Sequence, residues 1–247
     1  YTSAGNYTDT LSTTNSCDSI VNTTVEVIDV NISQNDTSIC SGDSIDLEVD
    51  YSGQQINHSL NFDINCIQPG SHYVDYGDVL DMTGSFSVGG WVYNNGCENS
   101  CIISKRDRVG LSPFFTYYGF SLVYHQGKYI FSLQENTNSS GYEVNTTPSS
   151  TPLNQWAHIV AVVDAGNDII LYVNGAVVAG TNVSYTSLSN NNAPFLIGSL
   201  QAAGTWQWDG LLDDMFIYDR ALSSSDVTNI INGTIPQNNL QGFWNFN

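Results

Sequence analysis

Basic side chains are scarce in this chain. Five Lys and Arg stand against 24 Asp and Glu, which gives a net charge of −19 at neutral pH. Nucleic acids and anionic membrane surfaces are recognised through basic patches, so neither is an expected partner. The acidic excess suits cations, neutral sugars or a saline exterior.

Long apolar segments are also missing. No run of about 18 apolar residues occurs, so neither a membrane-spanning helix nor direct membrane insertion is predicted. No signal peptide is visible, because Tyr1 opens a polar, strand-like pattern. We therefore expect the chain to be a mature fragment of a longer protein.

Cysteine is present, but in no Cys-x-x-Cys pair, which argues against a zinc site. One or two disulfides formed in an oxidising, extracellular compartment fit the five cysteines better. Cys97 and Cys101 share one loop and either could reach Cys66, so the sequence leaves the pairing open.

Short strands joined by tight turns fill most of the sequence. Strand-like runs flank Asn174-Gly175, a dipeptide that supplies the positive φ angles of a type I′ hairpin turn. Gln126-Gly127 lies between two further runs and predicts a second hairpin.

One helix is predicted, over residues 223–231, with Ser223 or Ser224 as its cap and Gly233 just after its end. Many strands and one short helix predict an all-β fold, an antiparallel β-sandwich or jelly roll.

The residues from about 57 to 233 resemble a known family through segments that occur in the family's order. These are SLNFD, YVDYGDVLDMTGSFSVGGWVY, IISK, GFSLVY, WAHIVAVVD, LYVNGAVVAG, PFLIGS and GLLDDMFIYDRALSSSDV. The family is the bacterial laminin-G-like jelly roll of the concanavalin A-like lectin/glucanase superfamily. The insertion NCIQPGSH and the loop holding Cys97 and Cys101 depart from its pattern. The resemblance implies such a domain over residues 55–233.

The N-terminal part carries NYTDTL, CDSIV and SICSGDSIDL. These segments resemble the end of one Ig-like repeat and the start of another, as in large Bacteroidetes surface adhesins secreted by the type IX system. The resemblance implies Ig-like strands over residues 1–54. The closing segment LQGFWNFN resembles a strand found next to such jelly rolls. This resemblance implies a connector and strand over 234–247, leading towards other modules of the same polypeptide.

Catalytic residues are not predicted. Hydrolytic members of this superfamily hold a Glu-x-Asp-x-x-Glu arrangement, and the two carboxylates of a retaining enzyme lie about 5 Å apart. The chain has no such motif, and its four His are scattered along the sequence. His158, inside a strand-like run, is interpreted as a structural residue, and the protein is not expected to be an enzyme.

Calcium is the expected cofactor. Ca²⁺ takes about six to eight oxygen ligands from carboxylates, carbonyls and amides. The resemblance implies a structural calcium ion between an early strand and the late LDD strand, where Asp63, Asp213 and Asp214 match. Alternatively, adjacent Asp213 and Asp214 point to opposite faces of a strand, with one solvated and the other capping a loop.

Two aromatic residues are candidates for ligand binding. Trp206 and Trp208 lie two positions apart and would share one face of a strand, where they could stack on a glycan. Alternatively, one packs in the core and the other covers a strand end. Trp91 and Trp156 are expected in the core.

Basic residues and short triplets supply the remaining candidates. Four of the five basic residues lie close together in the sequence and form either a weakly cationic spot for a carboxylate or a solvated loop: Lys105, Arg106, Arg108 and Lys128.

Asp-Ser/Thr-apolar triplets, a pattern that Bacteroidetes use for O-glycosylation, predict modification at Thr10, Ser19 and Ser44.

These patterns predict a non-catalytic, secreted or cell-surface adhesion module that binds a glycan or another cell-surface ligand. One alternative is a spacer domain without a ligand, and another is an accessory domain of a secreted hydrolase. Exposed aromatic side chains in a concave site would favour binding, whereas a featureless polar surface would favour the spacer.

Overall fold

The computed structural model describes residues 5–12, 18–25, 30–32, 49–51, 59–62, 64–66, 72–109, 116–135, 141–148, 151–202 and 204–246. In the first four ranges, and at residues 108, 109 and 116, only the backbone is described. The chain forms two compact units, residues 1–56 and residues 57–247.

The first unit contains two antiparallel strand pairs. β1 (Gly5–Ser12) pairs with β2 (Asp18–Val25), and β3 (Val30–Ile32) pairs with β4 (Val49–Tyr51). The Ig-like character of this unit stays a prediction.

The second unit is a sandwich of two antiparallel sheets. Its elements are β5 (Leu60–Phe62), β6 (Val74–Asp75), β7 (Phe86–Asn94), β8 (Ser100–Val109), β9 (Thr116–His125), β10 (Lys128–Gln134), β11 (Tyr142–Asn145), β12 (Trp156–Asp164), β13 (Asp168–Val173), β14 (Ala176–Asn182), β15 (Leu196–Ile197), β16 (Gly210–Tyr218), α1 (Ser224–Ile231) and β17 (Leu240–Trp244). The six-stranded front sheet has the order β11-β10-β9-β8-β15-β6. The seven-stranded back sheet has the order β14-β13-β12-β7-β16-β17, with β5 also paired to β16. The predicted antiparallel β-sandwich is confirmed.

The core lies between the two sheets because each strand sends alternate side chains inwards. In the back sheet, β12 contributes four small or branched residues, Ala157, Ile159, Ala161 and Val163. The front sheet contributes larger side chains to the same core, and all of these are almost fully buried: Phe120, Leu122, Phe131 and Leu133. Alternating small and large side chains let the two layers interdigitate.

Both predicted hairpin turns are present. Asn174 and Gly175 have φ angles of 50° and 79° and join β13 to β14. Gln126 and Gly127, with φ angles of 51° and 72°, join β9 to β10. Two successive positive φ angles match the right-handed twist of the flanking strands, which is why these dipeptides were informative.

Helix α1 covers part of the outer face of the back sheet. Val227 and Ile230 pack with Val160 and Phe216 on that face. Ser223 caps the helix: its hydroxyl accepts a hydrogen bond from the Asp226 N–H, and the Asp226 carboxylate accepts one from the Ser223 N–H. The predicted helix and its cap are confirmed. Within the part of the chain that the structure describes, no helix is long and apolar enough to cross a membrane.

One disulfide links Cys66 to Cys97 across 31 residues of sequence. It ties the segment after β5 to the loop between β7 and β8. Cys101 is buried and makes no disulfide. Of the two partners that the sequence leaves open for Cys66, the structure selects Cys97. Cys101 is the second residue of β8 and is buried in a small cluster with Val123 and Ile130.

Replacing both Cys66 and Cys97 by Ser is expected to lower the free energy of unfolding by about 3 kcal/mol, because the crosslink restricts the unfolded chain. All five Trp lie in the second unit, so Trp fluorescence during urea unfolding reports on that unit. A reductant should destabilise the wild type and leave the double variant unchanged. Equal stability of the two proteins without reductant would contradict the prediction.

The cap of α1 predicts a pH dependence. Hydrogen bonding to Arg220, helped by Ser223, lowers the pKa of Asp226 to about 2. Since an unfolded Asp titrates near about 4, the carboxylate stabilises the fold above that pH and stops doing so as the pH falls towards 2. Asp226→Asn should therefore be less stable than wild type at pH 7, and the gap should close on acidification.

The matched control for this measurement is Asp219→Asn, which removes a nearby exposed carboxylate without touching the cap. Urea unfolding at a series of pH values provides the comparison. A wild-type advantage over Asp226→Asn that stays constant down to pH 2 would contradict the assignment.

Candidate functional site

A cleft of about 460 Å³ opens on the outward face of the front sheet. The strands β8, β9, β10 and β11 form its floor, and the loop after β15 forms one wall. Its lining residues are Arg106, Tyr117, Ser121, Val123, His125, Ile130, Ser132, Glu143, Leu200, Gln201, Thr205 and Trp206. Apolar and polar groups therefore share one concave surface.

Strand alternation explains which residues line the cleft. In β9, Phe120, Leu122 and Tyr124 point into the core, so the residues between them point outwards. The neighbouring strands continue these rows through cross-strand pairs, which are Val123 with Ile130, Ser121 with Ser132, and Ser132 with Glu143. The floor is thus one apolar row beside one polar row.

Trp206 forms the aromatic wall of the cleft. Its indole ring packs against the His125 ring, with centroids 4.9 Å apart and planes tilted by 33°. Its carbonyl accepts a hydrogen bond from the Cys101 N–H at 2.7 Å, which anchors the loop to β8. The side chain is half-buried, packed at its base against Val123 and Ile130. A partly exposed, backbone-anchored indole is thereby held over the floor.

Arg106 brings a positive charge into the cleft. Its guanidinium lies over the Tyr117 ring at 4.4 Å from the centroid, and an NH1 hydrogen is donated to Ser121 Oγ at 3.5 Å. Burial lowers the pKa of Arg106, yet an arginine stays protonated at neutral pH. None of the described carboxylates forms a salt bridge with it. Its charge is therefore available to a ligand.

The pairing of Trp206 and Trp208 on one face is wrong. Trp206 has a φ angle of 52°, in the left-handed region, so strand alternation does not hold across this segment. The Trp208 side chain is fully buried in the core between the sheets. Trp208 is therefore a core residue, contrary to its prediction as a ligand-binding residue. Trp206 remains partly exposed to solvent.

Trp91 and Trp156 are also placed differently from expectation. Both lie on the outer face of the back sheet, Trp91 half-buried against His158 and Trp156 with 40 % of its surface exposed. In β7 and β12 the core-facing positions belong to Val88, Val92 and alternating partners, so these two Trp fall on the opposite face. His158 is buried, which lowers its pKa to about 4, in agreement with a structural role.

Asp213 and Asp214 form a bulge in β16 rather than a regular strand. Asp214 has a φ angle of 46°, and the pairing with β7 shifts between Asp213 and Phe216. Asp213 Oδ1 accepts hydrogen bonds from the Asp214 N–H at 2.8 Å and the Phe246 N–H at 3.3 Å. Burial and the Asp213 charge raise the pKa of Asp214. Asp63 lies outside the described residues.

Among the residues that the structure describes, Asp213 and Asp214 do not belong to a group of three or more potential metal ligands. Among the described residues, the group of potential metal ligands that come together is Cys66, Cys97 and Asp209, whose two sulfurs form the disulfide. The described part of β5 runs from Leu60, opposite Leu212, towards Gly210, away from Asp213. The calcium site stays a prediction.

The basic cluster is not a solvated loop. Lys105 is buried in β8, where Nζ lies 2.9 Å from Asp78 and 3.1 Å from Asp81. Its neighbour Arg106 points to the other face, into the cleft, because adjacent strand residues alternate. The side chain of Arg108 lies outside the described residues. The solvated-loop interpretation is wrong for Lys105 and Arg106.

The predicted modification sites lie in the first unit. Thr10 is in β1, opposite Ile20, and Ser19 is in β2, opposite Leu11. Ser44 lies outside the described residues. Modification at these three positions stays a prediction.

Several cleft residues were missed at the sequence level, notably His125, Glu143 and Gln201. A signal for part of the floor was present, because the Gln126-Gly127 turn fixes the register of β9 on β10. Glu143 reaches the site through β11, and Gln201 through the loop after β15. No local sequence pattern predicts that Glu143 or Gln201 lines the cleft.

Comparison with known proteins agrees with this architecture. The family described as the concanavalin A-like lectin/glucanases superfamily, laminin-G-like type, matches residues 68–228. The curated Paraclostridial mosquitocidal protein 1 of Paraclostridium bifermentans is 32 % identical over 91 residues, which are 37 % of this chain and 7 % of that protein. The chain thus spans a small part of that relative's length.

One solved structure supports the same fold, and a second is similar over part of its length. A proposed carbohydrate binding protein from Bacteroides ovatus aligns with a TM-score of 0.55 at 15 % identity, covering 92 % of this chain and 59 % of that one. The binding domain of Paraclostridial mosquitocidal protein 1 aligns with a TM-score of 0.47 at 16 % identity, covering 66 % of this chain and 41 % of that one. The chain belongs to the concanavalin A-like lectin/glucanases superfamily, as a laminin-G-like jelly roll.

Proposed function

We propose that this protein is a non-catalytic extracellular recognition module that binds a glycan in the front-sheet cleft. The observation that carries the proposal is the half-exposed Trp206 indole, held over a floor with one apolar row and one polar row. A pyranose ring has an apolar face that stacks on an aromatic ring and a rim of hydroxyls that hydrogen-bond. The cleft offers partners for both.

The polar groups of the cleft are suited to sugar hydroxyls. Ser121, Ser132 and Thr205 offer hydroxyls that donate or accept, and Gln201 offers an amide. Glu143 can accept two hydrogen bonds and is exposed. Val123 and Ile130 supply the apolar surface that small-molecule sites commonly contain.

A hydrolytic role is less well supported. Glycoside hydrolysis requires two carboxyl groups, about 5 to 9.5 Å apart, flanking the scissile bond. Among the described residues that line the cleft, Glu143 is the only carboxylate. A binding site without a second carboxylate can hold a glycan but lacks the acid–base pair that would cleave it.

The names of relatives support the same class of function. One solved relative is named as a proposed carbohydrate binding protein, and another as the binding domain of a mosquitocidal protein. A module that binds surface glycans would suit an adhesion role within a larger secreted or cell-surface polypeptide. The Cys66–Cys97 disulfide is consistent with an oxidising, extracellular compartment.

Trp206→Ala should weaken glycan binding at least about tenfold, which corresponds to about 1.4 kcal/mol, because the stacking surface is lost. The ligand is first found on an array of neutral and acidic glycans, and affinities are then measured by titration calorimetry. Trp156→Ala is the matched control, since it removes an exposed indole from the opposite sheet.

Two outcomes would overturn the proposed function. One is a wild-type protein that binds no glycan on the array, which would favour the spacer alternative. The other is a glycan whose affinity falls with Trp156→Ala and is unchanged by Trp206→Ala, which would move the site to the back sheet.

We further propose that a structural calcium ion is bound near the β16 bulge. The support is the adjacent carboxylate pair Asp213 and Asp214, both partly exposed, together with the family resemblance at Asp63. EDTA should then lower the melting temperature, excess Ca²⁺ should restore it, and Asp214→Asn should remove the response. Identical melting curves of the wild type with EDTA and with Ca²⁺ would contradict this.

A further inference from the structure

The charge distribution within the cleft narrows the class of ligand beyond glycans in general. Arg106 is the only Arg or Lys among its described lining residues, on a chain with a net charge of −19. Four of its polar companions are neutral: Ser121, Ser132, Gln201 and Thr205. A guanidinium at one end of such a cleft forms stronger hydrogen bonds with an anionic ligand than with a neutral one.

Arg106 is held in a position from which it can pair with a ligand. Tyr117 supports one face of the guanidinium, and Ser121 Oγ accepts from one NH1 hydrogen. A guanidinium has five N–H donors in a planar fork, so most of them are left for a further acceptor. Carboxylates match this fork with two parallel hydrogen bonds.

Partial burial of the Arg106 guanidinium favours its pairing with a ligand carboxylate. Arg106 is half-buried, and burial lowers its pKa, because water has been removed from the charged group. A ligand anion that supplies hydrogen bonds and opposite charge would replace the lost solvation. A neutral hydroxyl in the same place would replace less of it.

Glu143 restricts where a negative charge can sit. The Arg106 head group donates to Ser121 on β9, whereas Glu143 lies on β11. The backbones of Ser121 and Glu143 are two strand spacings apart, roughly 10 Å. A carboxylate at the Arg106 end avoids Glu143, but a chain with negative charge along its whole length does not. The acidic surface of the protein adds to this discrimination.

We propose that the cleft binds glycans that carry a carboxylate on the bound sugar unit, with Arg106 pairing with that carboxylate and Trp206 stacking on a sugar ring. The ligand class is an acidic sugar of low charge density, in contrast to a sulfated polyanion. This inference rests on the proposed glycan-binding role of the cleft.

Two sources of the same chemistry are distinguished by paired probes. One pair is 3′-sialyllactose and its methyl ester, and the other is a xylobiose bearing one glucuronate and the methyl ester of that glucuronate. The members of each pair differ only in esterification of the single carboxylate. A heparin oligosaccharide serves as the sulfated polyanion. Affinities are measured by titration calorimetry with the whole chain.

At least one acid probe is expected to bind about tenfold or more tightly than its uncharged counterpart, and the heparin oligosaccharide is expected to bind more weakly than that probe. Arg106→Gln should reduce affinity for the acid about tenfold and leave the counterpart unchanged. Arg106→Lys, which keeps the charge but not the fork, should give an intermediate loss. Lys128→Gln is the control, since it removes the same charge from β10 outside the cleft lining.

The outcomes separate this inference from the proposed function. If a neutral glycan binds as tightly as the acid, and only Trp206→Ala weakens it, the carboxylate proposal falls and the glycan-binding site stands. Tightest binding to the heparin oligosaccharide would also overturn the proposal. If neither acid probe binds, the inference falls, and the array decides the proposed function separately. Melting curves of the Arg106 variants verify that each is folded.

Discussion

The two faces of each front-sheet strand are used differently, and the candidate site depends on that asymmetry. One face packs against the back sheet through residues such as Phe120 and Leu122. The other face is left open to form the cleft. The outer face of the back sheet is instead partly covered by α1, through Val227 and Ile230. Rigid packing on one side of the front sheet therefore supports a binding surface on the other.

The loop after β15 turns this open face into a cleft. Ser104 Oγ donates to the Ser199 carbonyl at 2.8 Å, and the Leu200 N–H donates to the Thr205 carbonyl at 3.0 Å. The Cys101 N–H holds the Trp206 carbonyl at the far end of the loop. A wall fixed by backbone hydrogen bonds loses little conformational freedom when a ligand arrives, and this preorganisation favours binding.

Charge is divided between the two faces by the same alternation. Lys105 and Arg106 are neighbours in β8, yet Lys105 is neutralised inside the domain by Asp78 and Asp81, and Arg106 faces the cleft. Two adjacent cations thus have different roles, one structural and one available to a ligand. In a chain with five basic residues, the placement of one of them changes the expected ligand.

Local sequence patterns predicted the β-rich character, both hairpins, the capped helix and the sandwich class, because alternation, turn dipeptides and caps act between residues close in the chain. The sequence also marked Trp206, but it paired that residue with Trp208, because it could not show the left-handed φ angle at Trp206. Three features could be seen only in the folded protein. They are the choice of Cys97 for the disulfide, the burial of Lys105, and the presence of Arg106, Glu143 and Trp206 in one cleft. These contacts join distant parts of the chain, and they exist only once sheet order and register bring the strands and the loop together.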